Sequence, residues 1–280
     1  MRCIQYEEIK QAVKSAVIQA NTLLPDDILK ALERALEKEK SSRGRMFLKI
    51  LLENAGIAEN EKMALCQDTG MVTVDIELGQ EVSICGGGLA GAVNEGVKEG
   101  YLEGFFRKSI VSDPFIRINT GDNTPAIIHT HLDLGDHLRI TIFPKGAGSE
   151  NMGQLAMLKP SQGIEGVKEF ILQVVREAGA NACPPLIVGV GIGGNMEKAA
   201  YLAKKALFRP INVANASPDL AALEEEMLIR INALGIGPQG MGGDTTALGV
   251  NIDAFPTHIA CLPVAVSLGC HCTRRVSIEI

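Results

Sequence analysis

The chain has 280 residues, a formal net charge of −6, 46% hydrophobic and 21% charged residues. That balance excludes intrinsic disorder, collagen and coiled coil as the main state. Aromatic residues are only 4%, with no Trp, and no sustained basic run occurs, which argues against a nucleic-acid-binding surface.

The first sixty residues read as helices. Ile9, Val13, Ala16, Val17 and Ala20 recur at helical spacing. Pro25-Asp26-Asp27 marks a second helix start, and a third helix is expected from Gly44 to Asn54, ending at Gly56. Met71–Leu78 alternates and is β-branched, so it is a strand, with Val82–Cys85 as its expected partner. A helix follows over Ala90–Glu103. Strands are expected at Phe115–Asn119, Ala126–Leu132 and His137–Phe143, with Asp133–Asp136 as a hairpin turn. Helices are expected over Gly163–Ala178, Asn195–Phe208 and Asp219–Leu234. Apolar strands are expected at Leu186–Ile192, Thr246–Ile252, Thr257–Leu262 and Val264–Leu268. This irregular mixture predicts an α+β fold: N-terminal helices, then mixed helices and short-stranded sheets in one compact unit. The expected organisation is a single domain over 1–280 with a helical segment at 1–60. No apolar run approaches the ~20 residues of a membrane span. The N-terminus lacks a secretory apolar region, so a cytoplasmic location is expected.

Several motifs carry chemistry. Gly189-Val190-Gly191-Ile192-Gly193-Gly194 fits a dinucleotide fingerprint. No second strand ending in an acidic residue follows, so a tight, closely packed turn is the preferred reading. His129 and His131 share a strand face near Asp133. A metal site is conceivable there, a solvated face the ordinary reading. Lys145-Gly146-Ala147-Gly148-Ser149 is a glycine-rich loop whose amides could cradle an anion. Seven cysteines stand at 3, 66, 85, 183, 261, 270 and 272, widely and irregularly spaced. They are expected to be thiols, metal ligands or catalytic groups rather than disulfides. Cys66, Cys183 and Cys270 each sit near Gly or Pro, and as a trio they suit three-point attachment of a cluster.

Five ordered motifs extend this reading: Leu65-Cys66-Gln67-Asp68-Thr69-Gly70, Asn119-Thr120-Gly121-Asp122-Asn123-Thr124-Pro125, Lys145 to Asn151, Ala182-Cys183-Pro184-Pro185, and Cys270 four residues before Arg274. Together they make the chain, from about residue 40 to 280, similar to the α subunit (N-terminal part) of iron–sulfur class I fumarases and L(+)-tartrate dehydratases. The resemblance implies a [4Fe–4S] cluster held by Cys66, Cys183 and Cys270, with Cys272 competing for the third place. It implies a hydro-lyase interconverting fumarate and malate, or alternatively dehydrating L(+)-tartrate; a non-catalytic cluster-binding protein is a further alternative. Asp68 and His258 would be catalytic. Gln67, Asp68, Arg107, Gly146 and Gly148 would bind the dicarboxylate substrate. A β subunit would complete the enzyme, in an α₂β₂ complex or with homo-association of α. The family loop is often Gly-Gly-Gly-Ser, whereas Ala147 stands here, which bears on the amide geometry.

Overall fold

The computed structural model describes residues 2–280. Helices run over Tyr6–Thr22 (α1), Asp26–Lys38 (α2), Ser42–Glu61 (α3), Leu89–Glu103 (α4), Ala147–Glu150 (α5), Gly163–Ala178 (α6), Met196–Ala206 (α7) and Pro218–Asn232 (α8). Strands run over Arg2–Gln5 (β1), Met71–Gly79 (β2), Val82–Cys85 (β3), Ile127–Asp133 (β4), Leu138–Lys145 (β5), Gln154–Leu158 (β6), Leu186–Gly193 (β7), Ala247–Phe255 (β8), Leu262–Gly269 (β9) and Val276–Glu279 (β10). The fold is α+β, as expected from the sequence. No helix is long and apolar enough to cross a membrane among the described residues. The chain divides into two compact units.

One unit comprises the chain up to Leu24, Ala55–Ala147 and Arg274–Ile280. Its four-stranded sheet has the order β10-β5-β2-β4. Val72, Val74 and Ile76 of β2 and Leu138, Ile140 and Ile142 of β5 alternate onto one buried face. They pack there with Ile9, Val13 and Val17 of α1 and with Val93 and Val97 of α4. The two helices approach closely because Gly96 and Gly100 stand one turn apart on α4. A Cβ on Gly96 would lie 2.6 Å from the Lys10 carbonyl oxygen, and one on Gly100 2.8 Å from Val17.

The other unit comprises Pro25–Asn54 and Gly148–Thr273. Its sheet has the order β6-β9-β7-β8. Alternation along β7 assigns its two faces. Leu186, Val188 and Val190 join Phe170, Ile171 and Val174 of α6 and Met227 and Ile231 of α8 in one core. Gly189 and Gly191 meet α7 instead: their Cβ atoms would stand 2.3 Å from the Ala203 and 2.1 Å from the Ala199 carbonyl oxygen. Gly189 and Gly191 therefore lie within a strand and let a helix backbone settle on it, which accounts for these positions by packing alone. Gly191→Ala should cost at least about 2 kcal/mol, because the clash is with backbone and cannot relax through a rotamer. A melting temperature matching the unsubstituted chain would contradict this.

Several expected pairings are corrected. Val82–Cys85 pairs in parallel with β1, not with β2. β4 and β5 form no hairpin: β2 lies between them, parallel to β4 and antiparallel to β5. Phe115–Asn119 is not a strand. Asp113 Oδ1 accepts from the amides of Phe115 and Ile116 and turns the chain, leaving one isolated bridge, Val111 to Asn119. Thr257–Cys261 is an exposed turn rather than a strand. Helix α3 continues through Gly56, whose missing Cβ meets nothing within 4 Å. The expectation of cysteines without disulfides fails at one pair. Cys3 and Cys85 are bridged, their Cα atoms 6.0 Å apart. The β1–β3 register sets Cys3 opposite Ser83 and Gln5 opposite Cys85, which brings together cysteines 82 residues apart in sequence.

Candidate active site

In the first unit the site is built on the loop between α3 and β2. Cys66 and Asp68 are half-buried and Gln67 is exposed. Cys66 Sγ lies 3.6 Å from Gln67 Oε1. Gly70 ends the loop at φ +75°, and a Cβ there would stand 2.3 Å from the Lys145 carbonyl oxygen. Only glycine lets the loop close against the end of β5. The Asp68 carboxylate is cradled by amides: Gly70 N–H donates to Oδ1 at 3.1 Å and Ala147 N–H to Oδ2 at 2.8 Å. A carboxylate offers about four acceptor sites, so the cradle orients Asp68 without saturating it. Gly146 packs on the same carboxylate, where its Cβ would be 3.0 Å from Oδ2. Ala147 thus commits its amide to Asp68, and the methyl group that departs from the family loop does not prevent this. The Arg107 side chain is exposed, while its carbonyl accepts from Thr69 Oγ1 at 2.8 Å. The first unit therefore brings Cys66, Gln67, Asp68, Arg107 and Gly146 around one loop.

The backbone of that loop is held from behind. Arg274 Nη2 donates to the Asp68 carbonyl at 2.8 Å, Tyr101 OH to the Thr69 carbonyl at 2.6 Å, and Asn123 Nδ2 to the Gly70 carbonyl at 3.1 Å. All three side chains are buried. Burial pushes the Tyr101 phenol up to about 12, against the opposing pull of the nearby Arg274 charge. It stays a neutral donor.

In the second unit Cys183 is exposed and left-handed, φ +53°, at the end of a short turn before a cis Pro184–Pro185 bond. Its carbonyl accepts from His271 N–H at 3.2 Å, which joins the Cys183 and Cys270 loops. Cys270 is half-buried, and its carbonyl accepts from the amide and the hydroxyl of Thr273. Cys272 is buried, its Sγ 3.2 Å from His271 Nδ1. Gly148 lies near Asn181, two residues before Cys183. The second unit therefore gathers Gly148, Cys183 and Cys270. His258 sits on the exposed turn after β8, where its Nδ1 accepts from the Ala260 amide at 3.1 Å.

Residues outside the sequence motifs steady the Cys183 loop. The Gln239 amide and side-chain Nε2 both donate to the Pro184 carbonyl at 2.8 Å. Glu39 anchors the glycine-rich segment that follows: its carboxylate accepts from the amides of Ser41, Asp244 and Thr245, each at 2.9 Å. Burial alone would raise its pKa, but these donors together hold it below the usual carboxylate range. No local pattern marks Glu39, Tyr101 or Gln239. Asn123 belongs to the Asn119–Pro125 motif, where its side-chain amide is the signal.

His131 Nε2 stands 3.1 Å from Asp75 Oδ1 on the neighbouring strand β2. Among the described residues no three His, Cys, Asp or Glu side chains are grouped to hold a single metal ion.

An α+β chain bearing these loops is, by its relationships, a hydro-lyase. The model of the fumarate hydratase (Fumerase) family matches residues 10–279, and the chain belongs to that family. A putative L(+)-tartrate dehydratase subunit alpha of Methanocaldococcus jannaschii is 42% identical over 274 residues, covering 96% of each chain. The L(+)-tartrate dehydratase subunit alpha of Escherichia coli (strain UTI89) is 32% identical over 277 residues, covering 98% of this chain and 91% of the relative.

Proposed function

We propose that the chain is the α subunit of a cluster-dependent hydro-lyase that interconverts fumarate and malate. The carrying observation is the Cys66–Gly70 loop, which presents a thiol, an amide and an oriented carboxylate together. The names of the two relatives favour a second reading, L(+)-tartrate as substrate.

Cys66, Cys183 and Cys270 would hold a [4Fe–4S] cluster. The donor chemistry fits: all three are thiols on loops at element ends, and thiolate is the usual ligand of such clusters. When bound by three thiolates, the cluster supplies an iron with Lewis acidity. The chain's own residues bind and orient the substrate. Arg107 can grip one carboxylate bidentately. Gln67 and the Gly146 and Gly148 amides would complete the contacts. Asp68, steadied by its amide cradle, would accept the proton from the attacking water during hydration and return it during dehydration. His258 is assigned a second acid–base role from the family pattern. The proton-abstracting base at carbon would come from a β subunit, in an α₂β₂ assembly.

The test is anaerobic reconstitution with iron and sulfide, followed by assays on malate, fumarate and L(+)-tartrate with and without the β subunit. Turnover should require both subunits, since losing one acid–base group costs about 10²–10⁴-fold. Full turnover by the α chain alone would overturn the two-subunit reading.

A further inference from the structure

Three successive carbonyl groups, those of Asp68, Thr69 and Gly70, each accept from a different buried side chain: Arg274, Tyr101 and Asn123. The donors are far apart in sequence, and none is needed to complete a strand or helix. Asn123 is itself fixed, because its Oδ1 accepts from the Ser109 amide at 2.7 Å. Tyr101 OH also lies 3.3 Å from the Gly70 carbonyl, so adjacent peptide groups share one donor. The ring is locked edge-on against Phe106, centroids 5.7 Å apart. A loop whose own conformation sufficed would not call for three buried polar groups, each of which must be desolvated.

We propose that Arg274, Tyr101 and Asn123 are positioning residues that set the peptide planes of the Asp68–Gly70 segment, and thereby the aim of the Asp68 carboxylate. This rests on the reading of Asp68 as the proton-handling group. The requirement is physical: an error of about 1 Å in a positioned acid–base group costs about 10²-fold in rate. Two amides steer the carboxylate itself, but one of them, Gly70 N–H, belongs to the segment being held. If the carbonyls swing, that amide swings with them. Burial keeps the phenol of this set protonated, so Tyr101 stays a donor to the loop.

The experiment compares Tyr101→Phe and Arg274→Lys in the complete, cluster-loaded two-subunit enzyme. Tyr101→Phe removes only the hydroxyl and keeps the ring packing, so it stays interpretable if the arginine variant fails to fold. The expected result is a fall in kcat of about 10-fold or more with KM changed less than about threefold. Amide hydrogen exchange supplies a readout that does not need turnover. Amides 67–70 should exchange about 10-fold faster or more in each variant, with those of β5 unchanged. A merely structural role would speed β5 and the loop alike and leave kcat intact. Unchanged exchange at 67–70 overturns the proposal, whatever the activity. Faster loop exchange with unchanged kcat also overturns it. An unsubstituted enzyme inactive on all three substrates would sink the functional reading instead, and the exchange comparison would still decide whether the three side chains hold the loop.

Discussion

Replacing Cys66, Cys183 or Cys270 singly by serine should abolish turnover and lower the iron bound per chain after anaerobic reconstitution. Serine is nearly isosteric, so the loops can still form, but a hydroxyl remains protonated where a thiol ionises and binds soft metal. Each position should matter separately, because no other cysteine shares its loop except Cys272. That residue is the internal control. Buried beside the His271 ring, Cys272 should on replacement lower stability by about 1 kcal/mol while iron content is kept. Retention of iron by Cys270→Ser together with its loss in Cys272→Ser would exchange the two assignments. Iron measured by absorbance and by chemical analysis reports this without an activity assay.

Asp68→Asn should reduce kcat by about 10²–10⁴-fold, the usual cost of removing a positioned acid–base group. The substitution also strikes the cradle. Both carboxylate oxygens accept from backbone amides, and an asparagine must turn its NH₂ toward one of them. That donor-to-donor contact should lower stability by about 1–3 kcal/mol. The two effects separate experimentally: kcat is read well below the melting temperature, stability by thermal unfolding. A variant that is less stable but equally fast would show that Asp68 is a loop anchor and no more.

Most helices were legible, α1 most clearly, because Ile9, Val13, Ala16, Val17 and Ala20 recur at helical spacing and are buried as that spacing expects. The strands at β2, β7 and β9 were legible for the same kind of reason, from runs of β-branched and aliphatic residues. The sheet order was not. The alternation of β4 and β5 says that each has a buried face, but not that β2 slides between them, since pairing is decided by partners distant in sequence. The Cys3–Cys85 bridge was hidden likewise, because it depends on β1 lying beside β3. Phe115–Asn119 misled because Phe115, Ile116 and Ile118 look like a strand until the Asp113 carboxylate accepts from the first two amides.

The candidate site shows the same division. Cys66, Gln67 and Asp68 could be read from a compact local motif, and Gly70 from the turn it had to make. Their supports, Tyr101, Asn123 and Arg274, come from a helix, a loop and the chain's last segment. Asn123 and Arg274 stand in the ordered motifs and Tyr101 in none, but a side chain that donates to a carbonyl leaves no periodic trace, so the role of each emerges only when folding brings it there. Glu39 is the same case in the other unit: one carboxylate among many in sequence, but in space the acceptor of three amides that secure the segment adjoining the Cys183 loop. Residue chemistry and local spacing are properties of a short stretch of chain. The orientation of that chemistry depends on contacts between stretches far apart in sequence, and these exist only once the core has formed.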